Sequence, residues 1–132
     1  MNAHEVAESI MIDAKKLGLD KYNKYSCWDV VVEFYKRYFN IELPNYQYNK
    51  RNLTPPDEVY KQWTVIDKED LQPGDVVVFK STCIDGGWHM TTYLGDDDLL
   101  NADYRVGVIV QKLSEADVEV QYYARYNKVA GE

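Results

Sequence analysis

The sequence predicts an α+β fold in which N-terminal helices pack on a five- or six-stranded antiparallel sheet. Two observations predict it. Up to Asn40, apolar residues recur every three or four positions, the period of an amphipathic helix. Beyond Pro73 the pattern becomes short apolar runs separated by turn residues, with no helical stretch between them. Strands joined that way return by hairpins, so the sheet is antiparallel.

The elements follow in order. Ala3, Val6, Ala7, Ile10, Ala14 and Leu17 line one face of a first helix, and Gly18 stops it. A polar and aromatic loop runs from Leu19 to Ser26. Ser26 can cap a second helix, with Asp29 three residues on in the place of a capping-box acid. The stripe of that helix is Cys27, Val30, Val31, Phe34, Tyr35 and Tyr38. Its β-branched members weaken local helix preference, so packing must hold it. Asn40 ends it, and Leu43-Pro44 fixes an extended exit.

From Asn45 to Thr64 the pattern lapses. Pro55-Pro56 marks a long loop, with room for a short helix at Asp57 to Trp63. Pro73-Gly74-Asp75 is a turn. Val76 to Phe79 is a continuous apolar run, fit for a strand buried on both faces. Further strands are expected at Trp88 to Leu94, Leu99 to Ala102, Val106 to Gln111 and Val118 to Tyr123. A hairpin loop of three or four residues at Gly95 to Asp98 sets the Trp88 to Leu94 and Leu99 to Ala102 strands side by side.

Composition narrows the function. The 132 residues suit one domain over 1–132 with one hydrophobic core. Fifteen Lys and Arg against 22 Asp and Glu leave a net charge of −7, which argues against nucleic acid as the main partner. The same balance disfavours adhesion to anionic membranes or wall polymers. No apolar stretch is long enough for a membrane span. Met1 to Asp20 carries Glu5 and Glu8 and lacks the apolar core of a signal peptide, so synthesis in a cytoplasm is expected. The 12 tyrosines are expected mostly as half-buried rings with wet hydroxyls. Two cysteines, Cys27 and Cys83, are expected as free thiols. With two cysteines and two histidines, a paired Cys-x-x-Cys zinc site is excluded. The one conceivable metal set is Cys27, Cys83 and His89, and no metal or cofactor is expected.

Three residues carry candidate chemistry. Cys27 opens a helix, where unpaired amides and the positive end of the helix dipole favour a thiolate. Read alone, it is equally a buried inert thiol. His89 lies in a strand between Trp88 and Met90, where a core histidine satisfied by backbone is the plain alternative. Asn101 on the next strand changes that balance. Its amide can accept from one ring nitrogen and leave the other facing a thiol. Cys83, in a Cys-Ile-Asp-Gly-Gly loop, is the rival nucleophile without a helix start behind it. His4, on the first helix, reads as surface.

The stretches Tyr25-Ser26-Cys27-Trp28-Asp29-Val30-Val31 and Asn40-Ile41-Glu42-Leu43-Pro44-Asn45-Tyr46 resemble the NlpC superfamily of cell-wall cysteine peptidases. They are most similar to its phage tail-tip branch. Leu71 to Phe79 (LQPGDVVVF) resembles the family strand before the histidine, and His89 to Asp97 (HMTTYLGDD) its histidine hairpin. Gly107 to Leu113 is similar to the valine-rich strand of that branch. In the family a third catalytic residue, usually His, lies twelve positions after the histidine; here that position is Asn101. Ser26 replaces the usual Asp before the cysteine, and Trp28-Asp29 the usual Ser-Gly after it. Met90-Thr91-Thr92 stands where small residues normally follow the histidine, with Thr91 placed to crowd the site.

The resemblance implies a papain-like fold with Cys27, His89 and Asn101 as a catalytic triad and no cofactor. It implies hydrolysis of peptide bonds in peptidoglycan stem peptides, with phage tail-tip proteins as partners and a place in the virion tail. It also suggests a tyrosine, Tyr22 or Tyr25, beside the Cys27 amide in the oxyanion hole. Trp28 and Trp88 are the flanking substrate-binding candidates. Two other readings share the fold: a structural tail or adaptor domain without turnover, and a thiol amidase or acyltransferase with another substrate.

Overall fold

The computed structural model describes residues 1–16, 26–43, 61–80, 88–103 and 106–129. Two helices, α1 (Ala3–Lys16) and α2 (Cys27–Tyr38), pack on a six-stranded antiparallel sheet. The strands are β1 (Trp63–Ile66), β2 (Val76–Lys80), β3 (Trp88–Gly95), β4 (Asp98–Asp103), β5 (Gly107–Lys112) and β6 (Val120–Tyr126). Their spatial order is β1-β6-β2-β3-β4-β5. The expected fold class and both helices are observed.

The expected faces of the helices are the buried ones. Val6, Ala7 and Ile10 of α1 and Val30, Val31, Phe34 and Tyr35 of α2 meet Val76, Val78, Met90, Leu94, Leu100 and Ala102 of the sheet. Each large side chain so buried contributes about 1.5–3 kcal/mol, which offsets the poor helix preference of the valines. Val77, Phe79, Leu99 and Leu113 form a second cluster on the other side of the sheet. Val76 to Phe79 are therefore all buried, as their unbroken apolar run requires.

Three expectations change. Trp63 does not close a helix; it opens β1, whose residues pair with Tyr123 to Tyr126 of β6. The β-branched run Thr64-Val65-Ile66 suits that strand. Residues 57–60 of the expected helix lie outside the described residues, as do Leu17 and Gly18. The last strand begins at Val120 and reaches Tyr126, because β6 is held on both flanks by β1 and β2. The hairpin between β3 and β4 is tighter than expected. Gly95 pairs with Asp98, leaving only Asp96 and Asp97 between them, at φ 53° and 66°. Two left-handed central residues are what the type I′ hairpin turn needs, and Asp tolerates that region. Asp97 also accepts hydrogen bonds from the amide and hydroxyl of Ser114, which hold the turn in place.

Tyr35 of α2 and His4 of α1 each bond to the sheet region, and Asp75 ties the turn before β2 to β6. The fully buried Tyr35 donates its hydroxyl to the Gly74 carbonyl at 2.6 Å, so this tyrosine departs from the half-buried expectation. Asp75, also buried, takes Nε and Nη2 of Arg125 at 2.9 and 2.8 Å and the Gln72 amide at 2.7 Å. His4 lies at the surface, as expected, and is anchored there. Its Nε2 lies 2.8 Å from Asp98 Oδ2, tying α1 to the start of β4, and Lys112 reaches the other oxygen of the same carboxylate.

Gly74 sits at φ 99°, and a Cβ there would lie 2.4 Å from the Phe39 ring at the end of α2. Gly74→Ala should therefore cost about 2–4 kcal/mol, from overpacking together with left-handed strain. Urea unfolding midpoints of the two proteins measure this, and an unchanged midpoint would contradict it.

Candidate active site

Ser26 caps α2 in extended geometry. Its hydroxyl accepts from the Asp29 amide, and the Asp29 carboxylate accepts from the Ser26 amide at 3.1 Å. The capping box expected from Ser26 and Asp29 is present. It fixes Cys27 as the first helical residue, only 4% exposed. The helix ends where expected: Asn40 takes φ 56°, and the Ile41 amide turns back to the Tyr35 carbonyl.

The sheet supplies the partners. β3 pairs with β2 from Trp88 to Thr92, but its ladder with β4 runs only from Thr92↔Leu100 to Gly95↔Asp98. β4 meanwhile pairs with β5 as far as Asp103. The start of β3 and the end of β4 thus lie beyond their shared ladder. His89 stands on the first and Asn101 on the second. His89 Nε2 donates to Asn101 Oδ1 at 2.5 Å. That fixes the ring tautomer and leaves Nδ1 for the thiol.

Cys27 and His89 are hydrogen-bonded to each other. Burial alone would push the Cys27 thiol up. The hydrogen bond to His89, the charge of the ring, and the amides of Met90 and Trp28 outweigh it and bring the thiol below its ordinary value. The complementary shift falls on His89. Burial works against the charged ring, but the Cys27 contact, the Asn101 hydrogen bond and the Asp103 carboxylate together raise it above the ordinary histidine value. The arrangement favours a thiolate beside an imidazolium, the nucleophilic form of the thiol.

The structure therefore brings together Cys27, His89 and Asn101. Tyr22, Tyr25 and Cys83 lie outside the described residues. Trp28 packs edge-on against Trp63 at 6.4 Å, and Trp88 against Tyr122 at 6.3 Å. Thr91 is fully buried and donates its hydroxyl to the Val77 carbonyl at 3.0 Å. Among the described residues, no group of three or more His, Cys, Asp or Glu is placed to hold a metal ion. Nor is any described helix long and apolar enough to cross a membrane. The Met90 amide is a contributor that residue types could not reveal, because any residue there carries the same N–H. Asp103 was within reach of the sequence: it lies two positions beyond Asn101, on the same side of a strand.

The NlpC/P60 family model matches residues 16–126 of the chain. The chain belongs to the NlpC/P60 family. NlpC/P60 proteins are generally cysteine peptidases of the cell wall, and this agrees with the residue-level resemblance above. Three solved structures share the fold. NlpC2 from Trichomonas vaginalis is 21% identical with a TM-score of 0.55, covering 76% of this chain and 36% of that one. NlpC1 from the same organism is 21% identical with a TM-score of 0.56, covering 76% and 34%. An NlpC/P60 family protein from Bacillus cereus ATCC 10987 is 24% identical with a TM-score of 0.55, covering 76% and 31%. The chain thus spans about a third of the length of each. Among curated proteins there is no match.

The pairing of Cys27 with His89 makes a prediction for this NlpC/P60 site. In the wild type, the pH profile for alkylation of Cys27 by iodoacetamide should have its midpoint below the ordinary thiol value of about 8.5. In His89→Gln the two largest effects opposing burial are gone and only the Met90 and Trp28 amides remain, so the midpoint should move to higher pH. Equal midpoints in the two proteins would show that the thiol does not depend on the ring.

Proposed function

We propose that this chain is a cysteine peptidase that hydrolyses peptide bonds in peptidoglycan stem peptides. The observation that carries the reading is the Cys27 thiol hydrogen-bonded to a His89 ring that is itself oriented by Asn101. His89 takes the thiol proton, and the Cys27 thiolate attacks the amide carbonyl. The oxyanion is held by amides at the start of α2, with Tyr22 or Tyr25 as the further donor. His89 returns the proton to the leaving amine, and a thioester remains. The same ring then takes a proton from water, which attacks the thioester and frees Cys27. Asn101 keeps the ring in the tautomer this exchange needs. Trp28 and Trp88 flank the reacting pair in sequence and are the proposed walls of the substrate site.

The proposed setting is a phage tail acting on the host cell wall, with tail-tip proteins as neighbours. Support for it lies in the likeness of residues 25–46 and 107–113 to that branch of the family. The competing reading of a tail domain without turnover predicts an ordinary thiol at Cys27. The lowered thiol favours the enzyme.

Muropeptide digestion followed by chromatography tests the proposal. The wild type should release stem-peptide fragments, and Cys27→Ala should release none. Asn101→Ala should retain part of the rate, with a loss of roughly 10- to 100-fold, because it orients the base without being the base. Cleavage by Cys27→Ala at the wild-type rate would remove Cys27 as the nucleophile. Absence of cleavage by a wild type whose thiol is activated would point instead to an amidase or acyltransferase with another substrate.

A further inference from the structure

The β3–β4 hairpin places one more charged group at the site. Tyr93 pairs with Leu99 and Thr92 with Leu100. No rung forms beyond Thr92 and Leu100, so the side-chain contact places the ring there: His89 is hydrogen-bonded to Asn101. A ring held on Asn101 lies on the side of β4 from which Asp103, two positions on, also projects. Asp103 is half-buried, and its partner on β5 is Gly107, which has no side chain to stand beside it.

We propose that Asp103 is a positioning residue of this site, whose carboxylate holds the imidazolium of His89 beside the Cys27 thiolate. This rests on the peptidase reading above and adds to it a fixed negative charge that sets the upper end of the working pH range. Asn101 fixes the ring by a neutral contact; Asp103 acts on its charge. Among the described residues, the groups facing His89 are few. Cys27 comes from α2, and Asn101 and Asp103 come from β4. Phe79 is the β2 partner and carries no charge, and Lys80 beside it is exposed opposite Trp88. The electrostatics agree with the geometry. Burial opposes protonation of His89, and the Cys27 contact, the Asn101 hydrogen bond and the Asp103 charge favour it. Asp103 is the last of the three, so it tunes an ion pair that Cys27 and His89 form themselves.

The test reads the proton on His89 directly, by NMR titration of the histidine ring signals in the full chain. There are only two histidines, so His4→Gln assigns the signals. Wild-type His89 should titrate above the ordinary value of about 6.5. Asp103→Asn should move that midpoint to lower pH by about 0.5 unit or more, as expected on losing a nearby opposite charge that is partly screened. Asp103→Glu should restore it. The basic limb of kcat should move the same way, with KM unchanged. If Cys27→Ala lowers the His89 midpoint but Asp103→Asn leaves it in place, the role of Asp103 is overturned and the thiol–imidazole pair stands. If neither variant moves it, the pair itself is refuted and Asp103 with it. Should Asp103→Asn fail to fold, Asp103→Ser gives the same reading.

Discussion

The candidate site depends on one contact that works against its surroundings. A thiol as buried as Cys27 is driven by desolvation toward its neutral, unreactive form. A buried imidazole is driven toward its neutral form as well. Each group alone would be inert near pH 7. Together each favours the charged form of the other, against the burial that opposes it. Every pH unit of such a shift is about 1.4 kcal/mol, so the alignment of the two groups governs how far each departs from its neutral form. The rest of the fold is arranged to keep that alignment.

Two rigid elements meet at the contact. The capping box at Ser26 and Asp29 sets the depth of Cys27 at the mouth of α2. The hairpin from β3 to β4 sets the ring. Helix and sheet are joined by apolar packing at Met90, Leu94 and Leu100 and by the Tyr35–Gly74 hydrogen bond. The parting of β3 from β4 beyond Thr92 and Leu100 is what lets the Met90 amide reach the sulfur instead of another strand. An uninterrupted ladder would have spent that amide on the β4 backbone.

Much of this was legible in the sequence because it is written in local rules. The helix stripe of α2, its cap and the buried run Val76 to Phe79 follow from periodicity and capping chemistry. The pairing of His89 with Asn101 followed from a hairpin and a spacing. What escaped depends on tertiary context. β1 is a four-residue strand next to a proline-rich stretch, and only its pairing with β6 makes it one. His4 meets Asp98 across 94 positions of chain, a distance over which no local pattern carries information. The Met90 amide is invisible because backbone donors leave no mark on residue type. The Asp96-Asp97 turn was expected as longer, since Asp-Asp lacks the glycine that usually announces a two-residue connection.

That turn has an arithmetic consequence. The separation between ring and amide is made of the paired rungs, one extra residue where the register shifts between Tyr93 and Gly95, the two residues at the bend and the unpaired strand ends, and side chains alternate along each strand. Adding or deleting one residue at the tip would shift the frame by a single step and present Ala102 or Leu100 to the ring in place of the amide. The chemistry of the bend is therefore free to vary, whereas a one-residue change in its length keeps the ring on the amide only if the register shift beside it absorbs the step. The Asp-Asp pair, strained as it is, preserves a distance rather than a shape.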